Sequence, residues 1–179
     1  MPEAATRVFV ALGSNLGDRQ QHLESAVTEI GKLNTVARLS VSSTYETDPM
    51  GPQNQPDYLN AVCVFDYTGT PRVLLTQLQA IESSHGRVKS TERWIARPLD
   101  LDILLFGDEQ VKEPDLQIPH SGIADRSFVL WPLRELDSAL EIPGLGLVGD
   151  LCQNCEQFGI RRFDSQPATS ASLLCCTTP

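Results

Sequence analysis

The stretch Arg93-Trp94-Ile95-Ala96-Arg97-Pro98-Leu99-Asp100-Leu101-Asp102-Ile103-Leu104-Leu105-Phe106-Gly107-Asp108 joins an arginine-bearing loop to a strand that carries two carboxylates. Successive side chains of a β-strand point to opposite faces, so Asp100 and Asp102 share one face, roughly 6.5–7 Å apart. Leu99, Leu101, Ile103 and Leu105 take the other face, and Leu104 and Phe106 follow the acids on theirs. Past Asp102 both faces are therefore apolar, which predicts a strand buried in a core with its acids at one mouth. Unpaired charge is costly in such a run. Two carboxylates beside Arg93 and Arg97 are what Mg²⁺ and a polyphosphate ask for: hard oxygen ligands and forked cations. A D-x-D at a strand end is also compatible with a plain polar edge near a turn.

The loop before the strand is unusual against the rest of the chain. Net charge is −9 over 179 residues, yet Arg87, Lys89, Arg93 and Arg97 put four of the fourteen basic residues into eleven positions, opposed only by Glu92. An acidic protein has no general affinity for nucleic acid or anionic membrane. A local basic stretch in it suggests a small, highly charged ligand, with a solvated loop as the plain alternative.

Upstream, Arg7–Leu12 reads as a strand, Gly13–Asp18 as a turn, and Asp18 as the cap of a helix whose stripe is Leu23, Ala26, Val27, Ile30 and Leu33. Gly31 frays that helix near its end. Val36–Tyr45 reads as a second strand with Leu39, Val41 and Tyr45 on one face. Glu46–Asp57 holds three prolines and a glycine and is a defined loop. Tyr58–Tyr67 is a third strand. Thr70 caps a second helix, Pro71 opens it, Leu74, Leu75, Leu78 and Ile81 form its buried stripe, and Gly86 ends it.

The order is β-α-β-β-α-β, the split βαβ or ferredoxin-like arrangement. It predicts an α/β (α+β) domain with a mostly antiparallel sheet, helices on one face and the other face open for a ligand. Beyond Gly107, Ile118-Pro119-His120 closes a short edge strand. A helix lies within Ser127–Leu136, starting near Pro132, and another within Leu145–Phe158. The domain is expected over residues 1–162, with a disordered tail over 163–179.

Hydrophobic content of 41% supports one ordinary core. No apolar run is long enough to span a membrane, and Met1–Val10 is no signal peptide. The cytoplasm is the expected compartment. Cys63, Cys152, Cys155, Cys175 and Cys176 are odd in number, which argues against a disulfide framework. Cys152-Gln153-Asn154-Cys155 lacks a second pair and reads as two small residues of a helix.

Four segments together resemble a known family. They are Gly13-Ser14-Asn15-Leu16-Gly17; Gly51-Pro52-Gln53 with Gln55-Pro56 and Tyr58-Leu59-Asn60; Arg93-Trp94 with Arg97 and Leu99-Asp100-Leu101-Asp102-Ile103; and Pro119-His120 with Arg126, Phe128, Leu130 and Pro132-Leu133. In that order and spacing the chain resembles the 6-hydroxymethyl-7,8-dihydropterin pyrophosphokinases of folate biosynthesis, from about Val8 to Leu151. The resemblance implies transfer of the β,γ-diphosphate of ATP, as one unit, to the pterin hydroxymethyl oxygen, with release of AMP. It implies two Mg²⁺ ions held by Asp100 and Asp102, and catalysis by Arg87 and Arg97 as cations that close over the triphosphate. The nucleotide contacts it implies are Gln79, Glu82, Arg87, Arg97, Ile103, His120 and Arg126. The pterin contacts it implies are Thr47, Met50, Tyr58, Asn60, Trp94 and Phe128, with Tyr58 and Phe128 flanking the ring and Asn60 reading its edge. A monomer acting on small molecules is expected.

The chain departs from the family pattern at Lys89, Ser90 and Ser121, which removes phosphate contacts and bears on nucleotide affinity. Read without the resemblance, Tyr58 and Phe128 pass for core aromatics, Asn60 for an edge residue, His120 for a turn histidine, and His22 and His85 for surface residues. Other classes compete. A regulatory binding module needs no acid pair facing arginines. A sugar-nucleotide transferase is usually larger, and a metal nuclease wants more carboxylates and a basic surface.

Overall fold

The computed structural model describes residues 5–49, 54–87, 96–156 and 159–164. In chain order the elements are β1 (Thr6–Ser14), α1 (Arg19–Gly31), β2 (Val36–Val41), β3 (Tyr45–Thr47), β4 (Tyr58–Tyr67), α2 (Pro71–Ser84) and β5 (Asp100–Phe106). Then follow β6 (Val111–Glu113), β7 (Leu116–Ile118), α3 (Ser127–Leu136), β8 (Glu141–Ile142), β9 (Gly146–Leu147), α4 (Val148–Asn154) and β10 (Arg161–Arg162).

The main sheet runs β10-β3-β4-β1-β5, with β2 also on β4, and every pairing is antiparallel. This is the expected βαββαβ order. Local chemistry sets the helix starts: Asp18 accepts the Gln21 N–H at 3.0 Å, and Thr70 accepts that of Val73 ahead of Pro71.

The sheet has two cores rather than one covered face. Val8, Val10 and Leu12 of β1, with Leu101 and Ile103 of β5, bury beneath α1 and α2. On the other face Phe9, Val62, Val64, Leu104 and Leu105 bury beneath Val129, Leu130 and Leu133 of α3 and Val148 and Cys152 of α4. The expectation of one open face is corrected accordingly. The helix α3 begins at Ser127, not near Pro132. Pro132 lies inside it and removes the donor that Phe128's carbonyl would have had, while the apolar side of the helix packs on the sheet.

The acid strand also departs from strict alternation. Between Phe9↔Leu105 and Val10↔Ile103 the register slips, so Leu104 has no partner on β1. This is a β-bulge. Leu104 and Leu105 both reach the second core, and Phe106 crosses to the first. Phe106 therefore leaves the acid face assigned to it by simple alternation. The Leu104 carbonyl accepts the His120 N–H at 3.0 Å, which ties the segment after β7 to the acid strand.

The expected strand Val36–Tyr45 divides into β2 and β3. Its register slips between Ala37 and Ser40, and Arg38 adopts φ +51°. Leu39 packs against the first core, and Val41, opposite the first-core residue Cys63, lies on the same face although exposed, whereas Tyr45 pairs with Asn60 and so leaves that face. Ser42 interrupts the run by accepting the Val62 N–H with its own hydroxyl.

His22 and His85 are not simple surface residues. Their Nδ1 atoms lie 2.8 Å apart, and His85 Nε2 meets Glu29 Oε1 at 2.8 Å. Phe163 packs on the first core and its N–H donates to the Thr44 carbonyl, so the fold runs past the expected boundary at 162. The expected tail from 165 onward, with Cys175 and Cys176, lies outside the described residues. Cys152 is buried in α4 and Cys155 caps it.

Candidate active site

Where α3 and α4 leave the second face uncovered, the sheet floors a cleft of about 410 Å³. Asp100 and Asp102 project into it because they alternate with Leu101 and Ile103, which face the first core. Their partners on β1 are small: Gly13 opposite Asp100 and Ala11 opposite Asp102. A Cβ at Gly13 would stand 3.5 Å from Asn60 Oδ1 and 3.9 Å from Asp100 Cβ, within the space above the floor. The small residues thus leave room over the acids.

Positive charge converges on Asp100. Arg97 Nη1 donates to its Oδ1 at 2.9 Å, and Arg87 Nη1 lies 2.7 Å from the same oxygen. Arg87 also pairs with Glu82, whose Oε1 accepts the Leu101 N–H at 2.7 Å. Glu82 is 5% exposed, and burial pushes its carboxyl up to about 7. Asp102 sits beside this cluster with 42% of its side chain accessible. The surrounding protein, with the like charge of Asp100, raises its carboxyl to about 6.

His120 lies on the other side of Asp102, its Nε2 4.0 Å from Oδ2. The Gly122 N–H donates to His120 Nδ1 at 3.1 Å, which assigns the proton of the neutral ring to Nε2. Burial and the nearby Arg126 lower its pKa, so the neutral form is favoured. His120 therefore offers a donor to the cleft. Arg126 lines the cleft too, with its guanidinium carbon 6.0 Å from the Phe128 ring centre.

The same cleft holds the candidate ring-binding residues. Tyr58, Asn60, Thr47 and Phe128 all line it. Asn60 is 7% exposed on the central strand β4, not an edge residue. Its Nδ2 donates to Thr47 Oγ1 at 2.9 Å, which orients the amide. Burial raises the Tyr58 hydroxyl pKa, so it stays protonated.

Not every expected residue reaches the cleft. Gln79 is exposed on α2, away from it. The Ile103 side chain is buried in the first core, on the face opposite the acids, so only its main chain is available to a ligand. Glu82 stands behind Asp100 and is not a lining residue. Met50 and Trp94, like Lys89, Ser90 and Arg93, lie outside the described residues. Ser121 lines the cleft.

Asn15 belongs to the site's framework, a role that neither the turn nor the family segment containing it assigns. It is 1% exposed; its Oδ1 accepts the Arg97 N–H at 2.7 Å, and its Nδ2 donates to Gln55 Oε1 and the Pro56 carbonyl. A buried amide whose partners lie 40 and more residues away leaves no local signal.

The acid pair has the donor chemistry that Mg²⁺ takes. Among the described residues no group of three or more His, Cys, Asp and Glu side chains forms a closed metal cage. Mg²⁺ characteristically takes one or two carboxylates and completes its shell with water and substrate phosphate. Asp100 and Asp102, mutually repelling and open to the cleft, fit that pattern.

The model of the 7,8-dihydro-6-hydroxymethylpterin-pyrophosphokinase (HPPK) family matches residues 9–138. A protein of Pseudomonas aeruginosa called 2-amino-4-hydroxy-6-hydroxymethyldihydropteridine pyrophosphokinase is 41% identical over 157 residues, 88% of this chain and 96% of its own. One of the same name from Haemophilus influenzae is 42% identical over 143 residues, 80% of this chain and 89% of its own. Among solved structures, wild-type Plasmodium falciparum HPPK-DHPS superposes with a TM-score of 0.62 at 14% identity, over 84% of this chain. The chain spans 44% of that protein, and the likeness speaks to the fold.

Proposed function

The chain belongs to the 7,8-dihydro-6-hydroxymethylpterin-pyrophosphokinase family, and is thus a pyrophosphokinase of folate biosynthesis; on that premise we propose how its cleft carries out the reaction. The β,γ-diphosphate of ATP passes as one unit to the hydroxymethyl oxygen of 6-hydroxymethyl-7,8-dihydropterin, and AMP leaves. The observation that carries this reading is one cleft lined by an acid pair, Arg97, Arg126 and a histidine N–H together with Tyr58, Asn60 and Phe128, with Arg87 reaching Asp100 beside it.

Asp100 and Asp102 would hold two Mg²⁺, which would supply neutralisation of the phosphate charge and a lowered pKa for the attacking hydroxyl. Arg87 and Arg97, both on Asp100 Oδ1, exchange that carboxylate for phosphate oxygens, so each guanidinium stays paired throughout. Arg126 and the Nε2–H of His120 bring further donors to the phosphates. His120 is a donor and not a base, since its Nδ1 is already taken by Gly122. Little covalent work falls to the side chains: they position the in-line oxygen and stabilise charge.

For the pterin, Asn60 offers the Oδ1 that Thr47 leaves free to read a donor edge. Tyr58 and Phe128 supply aromatic faces. Thr47 orients Asn60 and lines the wall. The protein acts as a monomer in the cytoplasm. Among the described residues its exposed large apolar side chains are Leu16, Val41, Val73 and the neighbouring Leu145 and Leu147, which come from four segments, and no helix is long and apolar enough to cross a membrane.

With Mg²⁺, ATP and the reduced pterin alcohol, the purified protein is expected to release AMP in a one-to-one ratio with pterin consumed. Release of ADP, or no turnover, would overturn the reading.

A further inference from the structure

We infer that Arg161 is a positioning residue for the pterin side of the cleft, acting through Asp48, Asp57 and Glu46. The inference rests on the function proposed above. Arg161 lies outside the stretch matched by the family model, residues 9–138.

Its place is set by backbone pairing. Arg161 sits opposite Glu46 in the β10–β3 ladder. From there its guanidinium forks. Nε donates to Glu46 Oε2 at 3.0 Å, Nη2 donates to Asp57 Oδ2 at 2.7 Å, and Nη1 lies 4.0 Å from Asp48 Oδ1. Arg19, at the start of α1, grips the same two residues from the other side. Its Nη2 meets Glu46 Oε1 at 2.9 Å and its Nη1 donates to the Asp57 carbonyl at 2.7 Å. Arg19, Glu46, Arg161 and Asp57 thus close a ring of charged hydrogen bonds.

The ring borders the cleft. Asp48 lines it directly and follows Thr47, the partner of Asn60, while Asp57 precedes Tyr58. The chain comes close here: a Cβ at Gly159, which has φ +51°, would meet Asp48 Oδ2 at 2.4 Å. Only glycine suits that approach.

Charge balance makes Arg161 decisive. Of the three carboxylates, Arg161 faces Glu46, Asp48 and Asp57 alike, whereas Arg19 meets only that of Glu46 and the main chain of Asp57. Without Arg161 the carboxylates of Asp48 and Asp57 lose the cation that faces both, and the repulsion among the three acts on the two segments that present Thr47 and Tyr58. A single exposed ion pair contributes little, and Arg161 is about half exposed. Here one planar fork joins two segments at once, which a lysine cannot reproduce.

The test compares wild type with Arg161→Met and Arg161→Lys. Pterin Kd is measured in the presence of a non-hydrolysable ATP analogue, and analogue Kd is measured alone. Arg161→Met is expected to weaken pterin binding roughly three- to ten-fold, with analogue binding unchanged. Arg161→Lys is expected to fall between. The pterin alcohol carries no net charge, so its own contacts have no Coulombic salt dependence. With the analogue kept saturating, pterin Kd of wild type is therefore expected to rise with ionic strength, and that of Arg161→Met to fall as salt screens the uncompensated carboxylates. Asp57→Ala removes the 2.7 Å contact from the other side and gives the reading if Arg161→Met does not fold, with weaker pterin binding and unchanged analogue binding expected. Unchanged pterin affinity in the variants, or equal loss for both ligands, would overturn the inference. Wild-type AMP release separates the two claims: if it fails, the proposed function falls, and if it holds while the variants bind pterin normally, only the role of Arg161 falls.

Discussion

At Asp102 the surrounding protein and the like charge of Asp100 push the same way, raising the carboxyl to about 6. An acid whose folded pKa is raised adds stability below its unfolded value and loses it as pH rises through the folded value. At pH 8 without metal, Asp102 therefore opposes folding. Asp102→Asn is expected to be more stable there by about 1 kcal/mol, after screening of a side chain that is 42% exposed. Urea unfolding at pH 8 in a chelator measures it, and a less stable variant would contradict the electrostatics. The acid pair was legible in sequence because a strand's period of two needs only local spacing. The Ile103 side chain shows the same rule working against an expectation: its position next to Asp102 puts it on the opposite face. Asn15 was legible as part of a turn and of a family segment but not by its role, which arises from Arg97, Gln55 and Pro56 far along the chain.

Between elements, Glu82 is the joint of α2 and β5. Its Oε1 accepts the Leu101 N–H, and it pairs with Arg87. Burial raises its carboxyl from an ordinary 4.5 to about 7. Its contribution to stability is thus full below about pH 4.5 and lost as pH rises through about 7. Glu82→Gln keeps an oxygen for Leu101 and removes the titration. Unfolding free energies at pH 5 and pH 8 should fall by about 2 kcal/mol more in wild type than in the variant. Equal pH dependence of the two proteins would refute this joint. Helix starts were legible in Asp18, Thr70 and Pro71, because caps act within one turn. The bulge at Leu104 was not, since Leu104, Leu105 and Phe106 are apolar in either register and only the partner strand distinguishes them. The start of α3 was misplaced because proline usually marks a first turn, whereas here packing on the sheet holds it inside.

In the whole molecule, two cores on one sheet create the site by leaving a gap. The first lies under α1 and α2, the second under α3 and α4, and the cleft opens where the second ends, over Gly13 and Ala11. The βαββαβ order was legible because each element announces its own period. The cover on the second face was not: helices were legible within Ser127–Leu136 and Leu145–Phe158, but the face of the sheet on which they dock is set by contacts with distant strands. The charged ring around Arg161 left no trace either: exposed charges have no periodicity, and its members are brought together by the β10–β3 pairing. The account's central claim is that this cleft moves a diphosphate unit, with Asp102 essential to it. ATP labelled at its β-phosphorus, with Mg²⁺ and the pterin alcohol, tests this in wild type and Asp102→Asn. The account predicts label in the pterin product and unlabelled AMP from wild type, and no transfer by a folded Asp102→Asn. Label retained in ADP, or transfer by the variant at the wild-type rate, would contradict it.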